Sequence, residues 1–62
     1  MKKFIIEETK LSKVAGKKVY IKADRTQTLN FDYAGVFPEI DANSMKEEND
    51  NLELIEVIVT VV

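Results

Sequence analysis

Apolar and polar positions alternate with period two over several stretches of the chain, the spacing of half-buried strands. Residues 3–9 run apolar and then acidic, and over residues 17–23 Val19 and Ile21 alternate with Lys18, Tyr20 and Lys22. These stretches predict the first two strands. The intervening residues 10–16 are too many for a two-residue turn and suit a hairpin loop anchored by Leu11 and Val14, with Gly16 at positive φ. After a polar interruption at residues 24–27, Leu29, Phe31 and Tyr33 alternate with Asn30 and Asp32 and predict a third strand. A short helix across residues 32–37 is the second reading of that region, because Phe31, Ala34 and Phe37 also share a helical face. Ala34 and Gly35 then turn the chain, and Val36-Phe37-Pro38 is held extended ahead of the proline.

Residues 41–51 form the most polar segment. Ser44 with Glu47 three residues later matches a capping box and predicts one or two helical turns, with an exposed loop as the alternative. Residues 52–62 are rich in β-branched side chains and predict a long strand with Ile55, Val57, Val59 and Val61 on one face. The opposite face, Leu54, Glu56, Ile58, Thr60 and Val62, is also mostly apolar, so both sides are expected to be packed for part of the length. Eleven extended residues reach about 36 Å, more than the roughly 27 Å breadth expected of a chain this size. That overhang, ending on Val61-Val62, predicts a homodimer paired through the C-terminal strand. The expected fold is mainly β, or small α+β: one domain over residues 1–62, a compact antiparallel sheet of three to four strands with at most one short helix.

Composition sharpens this picture in two respects. At 62 residues, 45% hydrophobic and 32% charged, the chain reads as a globular domain whose lone core is marginal and gains from outside support. With no cysteine and no histidine, disulfides, thiolate metal sites, thiol nucleophiles and the usual general base are excluded, which leaves oligomerisation as the expected support. No cofactor or metal is expected, and the chain is read as non-enzymatic. Adjacent carboxylates at Glu7-Glu8 and Glu47-Glu48 do not converge on one point. Asp41-Ala42-Asn43 begins like a calcium loop but fails it, with Met45 at the third ligand position, Lys46 in place of glycine and Leu52 in place of the bidentate glutamate. The apolar start at Phe4-Ile5-Ile6 stops at Glu7, too short for a signal peptide, and no run suffices for a spanning helix; a cytoplasmic, non-membrane location is expected.

Charge is segregated along the chain. Before Thr26 stand eight basic residues against three acidic ones, a balance of +5, and from Thr26 onward one basic against eight acidic, a balance of −7. Two readings of different class follow. In the first, an acidic face of Asp41, Glu47, Glu48, Asp50 and Glu53 engages a basic patch on another protein, in the manner of an acidic phage- or mobile-element-type inhibitor or accessory protein. In the second, a basic hairpin of Lys10, Lys13, Lys17 and Lys18, with Tyr20 exposed beside them, binds nucleic acid. Each has a plainer counterpart: lysines that protect an edge hairpin from aggregation, and a solvated acidic loop. Phe4, Phe31, Phe37 and Tyr33 are expected in the core, since so small a domain needs nearly all of its large apolar side chains.

Overall fold

β1 (Lys3–Glu8) is the strand around which the sheet is built, with neighbours along both of its edges. The computed structural model describes residues 2–58. After β1 come α1 (Thr9–Ala15), β2 (Tyr20–Ile21), β3 (Gln27–Thr28), a 3-10 turn (Phe31–Tyr33), β4 (Phe37–Pro38), α2 (Glu39–Glu48) and β5 (Leu52–Val57). β5 lies antiparallel along all of β1, from Lys3 opposite Val57 to Glu8 opposite Leu52. The other edge of β1 is shared end to end by β2, with Tyr20 opposite Glu7, and β4, with Phe37 opposite Phe4. β3 extends the sheet outward from β2. The result is a mixed α+β fold, a curled half-barrel sheet carrying two helices. It corrects the expectation of a nearly pure β sheet with at most one short helix.

The interruption between β2 and β4 explains how two strands share one edge. After Ile21 the chain leaves β1, makes the β2–β3 hairpin and the 3-10 turn, and returns at Gly35, whose N–H donates to the Ile21 carbonyl at 2.9 Å. Return at that point brings backbone against backbone: a Cβ on Gly35 would lie 2.5 Å from the Ala23 nitrogen. Glycine is therefore required by space rather than by φ. The hairpin closes through Lys22 and Thr26, with Arg25 in the left-handed region at φ 71°, the arrangement of a type I turn followed by a bulge.

Neither helix follows the expected boundaries. Residues 9–15 form α1 instead of a hairpin loop. The Glu8 carboxylate caps it by accepting the Lys10 N–H at 3.1 Å, and Gly16 ends it at φ 71° with its N–H on the Ser12 carbonyl. The Ser12 hydroxyl donates to the Glu8 carbonyl at 2.8 Å and accepts the Val19 N–H at 2.9 Å, fastening α1 to the approach to β2. α2 begins at Glu39, directly after Pro38, and not at the Ser44 capping box. Ser44 sits mid-helix, donating back to the Ile40 carbonyl at 3.0 Å. Glu39 and Asp41 occupy the first turn, where the helix dipole favours them; in the last turn Lys46 is outnumbered by Glu47 and Glu48. Residues 28–33 do not make a full third strand: Asn30 accepts the Asp32 N–H at 2.9 Å and turns the chain into the 3-10 segment.

α2 lays Ala42 and Met45 on one face of the sheet, where they join Ile6, Ile21, Phe37 and Leu52, with Phe4 and Leu54 packed against the cluster. Burial of this set is the main source of stability, since a ten-residue helix this polar does not form alone. On the other face lie Ile5 and Tyr20, both buried, with the Phe31 ring edge-on to Tyr20 at 5.4 Å between centroids. The aromatic expectations divide accordingly. Phe37 is buried and Phe4 packs on the core, whereas Phe31 is 53% and Tyr33 65% exposed because the 3-10 turn carries them over the sheet's rim.

Candidate interaction surfaces

Glu8 joins the two halves of the molecule through both of its carboxylate oxygens. Its second carboxylate oxygen accepts from the Asn49 amide at 2.9 Å, just past the end of α2, so one buried carboxylate both caps α1 and ties down α2. Asn49 also accepts the Asn51 N–H, and the Asn51 carbonyl in turn accepts from the Thr9 N–H. Burial of that charge is offset by two hydrogen bonds, a structural use rather than a chemical one.

The acidic residues are placed on exposed positions. Asp41, Glu47 and Glu48 project from α2, Asp50 from the following turn and Glu53 from β5. Glu47 and Asp50 flank a shallow depression together with Asn43 and Lys46, whose ammonium donates to the Leu52 carbonyl at 3.1 Å. Asp41, two turns earlier on α2, is not part of that depression.

Lys10 and Lys13 lie on α1, and Lys17 and Lys18 on the segment that follows; all four are exposed. Lys13, Lys17 and Lys18 line one depression with Glu7, Thr9, Ser12 and Gly16, while Lys10 stands apart from it. Tyr20 is only 8% exposed and packs under Phe31, which corrects the expectation that it stands free beside the lysines. The phase argument failed because β1 is buried on both faces, so its neighbour β2 has no solvent side at Tyr20.

Of the predicted dimer-forming residues, Ile55 and Val57 are half-buried on β5; Val59 and Val61 lie outside the described residues. The backbone of β5 is more informative than its side chains. Because the Thr9 N–H donates to the Asn51 carbonyl at 2.9 Å, the alternating ladder makes Glu7–Glu53, Ile5–Ile55 and Lys3–Val57 the hydrogen-bonded pairs. The N–H and C=O groups of Leu54 and Glu56 therefore point away from β1, and among the described residues no strand receives them.

A surface the sequence reading missed lies between α1 and the β2–β3 hairpin. Leu11, Val14 and Ala15 of α1, together with Val19 and Leu29, form the apolar walls of a groove of about 300 Å³, with Gln27 and Thr28 along one side. Val14 is 82% exposed and Leu29 is also exposed. The signal was present in Leu11, Val14 and Ala15, spaced for one helical face, but only a helix over residues 9–15 makes them neighbours.

Among the described residues, no group of three or more acidic, cysteine or histidine side chains could hold a metal ion, and no helix is long and apolar enough to cross a membrane. Comparison with protein-family models, with curated proteins and with solved structures finds no match to this chain.

Proposed function

We propose that this protein is a non-enzymatic interaction module acting through protein–protein contacts, and that its basic contact is strand addition at β5. The observation that carries the reading is the outer edge of β5, unpaired among the described residues, where Leu54 and Glu56 offer backbone donors and acceptors to an incoming strand. A second copy is the simplest such strand. In an antiparallel pairing centred on Ile55, Leu54 of one copy stands opposite Glu56 of the other and the two Ile55 side chains meet at the twofold axis. Registers centred on Glu56 would set glutamates against each other and are disfavoured.

The discriminating variant is Glu56→Pro. Its N–H points outward and its side chain is exposed, so proline removes a donor from the free edge while the ladder to β1 stays complete. Sedimentation velocity should show a dimer for the parent chain and a folded monomer for Glu56→Pro, with Glu56→Lys controlling for charge. A folded Glu56→Pro dimer would overturn edge pairing. The nucleic-acid alternative keeps Lys13, Lys17 and Lys18 in one depression but loses Tyr20 as a stacking surface. It requires salt-sensitive binding of labelled DNA or RNA that is abolished when those lysines become glutamate.

A further inference from the structure

We infer that the partner of the lysine depression beside α1 is a second copy of this chain: the acidic C-terminal end of α2 on one copy docks against Lys13, Lys17 and Lys18 of another. The contact lies apart from the outer edge of β5 and goes beyond pairing through it.

Two depressions gather charge of opposite sign. One is lined by Lys13, Lys17 and Lys18 with Glu7 as its only acid, a balance of +2 among the residues that form it. The other is lined by Glu47 and Asp50, with Lys46 as its only base, and the exposed Glu48 follows Glu47 on α2. Among the described residues the carboxylates that accept hydrogen bonds are Glu8 and Asp24, so Glu47 and Asp50 have no hydrogen-bonded counter-ion in their own chain. Glu47 and Glu48 moreover stand in the last turn of α2, at the negative end of its dipole, and Asp50 comes just after it. Carboxylates placed there are repelled by the helix end, and cations brought from outside relieve that repulsion.

The two patterns are inverse: lysines around a glutamate, and acids around a lysine. That inversion selects the partner. A nucleic-acid strand would bring only phosphates and would meet the buried Glu7 with nothing to offset it, while Tyr20, packed under Phe31, gives its bases no stacking face. The α2 end of another copy brings Lys46 along with its acids, and complementary potentials of this kind fix orientation as well as attraction. Exposed ion pairs are individually weak, and the screening length falls to about 4 Å in 0.5 M salt, so the contact belongs to low salt and high protein concentration.

The test is a dilution series of the isotope-labelled parent chain, followed through its amide chemical shifts at low salt and at 0.5 M salt. At low salt the amides of Lys13, Lys17, Lys18, Glu47 and Asp50 should move together with concentration; at 0.5 M salt they should stay still. Pairing at β5 instead moves Leu54 and Glu56 and, resting on backbone hydrogen bonds, persists at 0.5 M salt, where sedimentation and melting report it alone; the two proposals therefore fail separately. Lys13→Gln with Lys17→Gln and Lys18→Gln should weaken the low-salt contact about tenfold or more, as should Glu47→Gln with Asp50→Asn. All five positions are exposed, so these variants keep the fold. The deciding sample mixes the labelled lysine variant, which retains only the acids, with the unlabelled acid variant, which retains only the lysines. Shifts at Glu47 and Asp50 that neither variant shows alone should then return. Absence of salt-sensitive shifts in the parent chain, shifts at one depression without the other, or no recovery on mixing overturns the proposal. Single-stranded DNA that binds at the three lysines of a chain showing no contact with itself overturns it in favour of nucleic acid.

Discussion

Gly35 and Asp24 show how much of this fold is decided by single positions on its rim. At Gly35 the returning chain meets the backbone of Lys22 and Ala23 with no room for a methyl group, and the obstructing atoms are main chain, which cannot swing aside. Gly35→Ala should therefore cost about 2 kcal/mol or more, read from the shift of the urea midpoint, even though alanine would normally stabilise a site without positive φ. At Asp24 the carboxylate accepts the Thr26 hydroxyl at 2.6 Å and the Thr26 N–H at 3.0 Å. These bonds, the hydroxyl first, hold its pKa below the ordinary 3.8, with the Lys22 charge assisting. The sign follows from linkage. A carboxyl with a lowered folded-state pKa contributes stability that is present above the ordinary value and is lost as pH falls through the folded one. Carboxyl chemical shifts followed through an acid titration should place Asp24 below the exposed carboxylates, and Thr26→Val should bring it back towards 3.8.

Among the elements, the β1–β5 ladder holds an internal conflict. Glu7 and Glu53 stand directly opposite each other, Glu7 buried and Glu53 exposed, and like charges so placed destabilise an antiparallel pair. Glu53→Thr should raise stability by about 0.5 kcal/mol in denaturant unfolding. If stability falls instead, Glu53 is engaged favourably, and the lysines lining the depression beside Glu7 are the first partners to examine. β1 was legible in the sequence as a short apolar run, Phe4-Ile5-Ile6, ending in acids, and the described part of β5 through its β-branched Ile55 and Val57 on one face. The helices were not. α1 is only seven residues long and is capped by a glutamate that itself belongs to a strand, so the usual Ser, Thr, Asp or Asn marker is missing; Gly16 at its end was the available sign. α2 hides its core contact in Ala42, whose methyl carries little weight in a hydrophobic pattern, and Pro38 followed by acids was a better marker of its start than Ser44. Residues 28–33 misled because Leu29, Phe31 and Tyr33 alternate, yet Asn30 and Thr28 hydrogen-bond the local backbone and favour turning over pairing.

For the molecule as a whole, the candidate surfaces were legible in proportion to how local they are. The lysines could be read from the chain because three of them come close together in space as they do in sequence, and the acids because α2 and its flanks carry them; the groove joins residues from α1 and β3 and required the fold. The expectation of pairing through the C-terminal strand rested on the length of residues 52–62, of which 59–62 lie outside the described residues; the free backbone groups of β5 follow instead from the ladder register, which sequence does not supply. That register also links association to stability. Among the described residues the outer edge of β5 has no partner strand, and the domain is small, so the proposed pairing with a second copy would add stability to it. A dimer that forms only from folded chains stabilises them by mass action, so the thermal midpoint must rise with protein concentration. Melting the parent chain across a hundredfold range of concentration should show that rise, and Glu56→Pro should melt at one temperature throughout. A parent midpoint independent of concentration would mean that the domain stands on its own core, and that the β5 edge is free to accept a strand from a different protein.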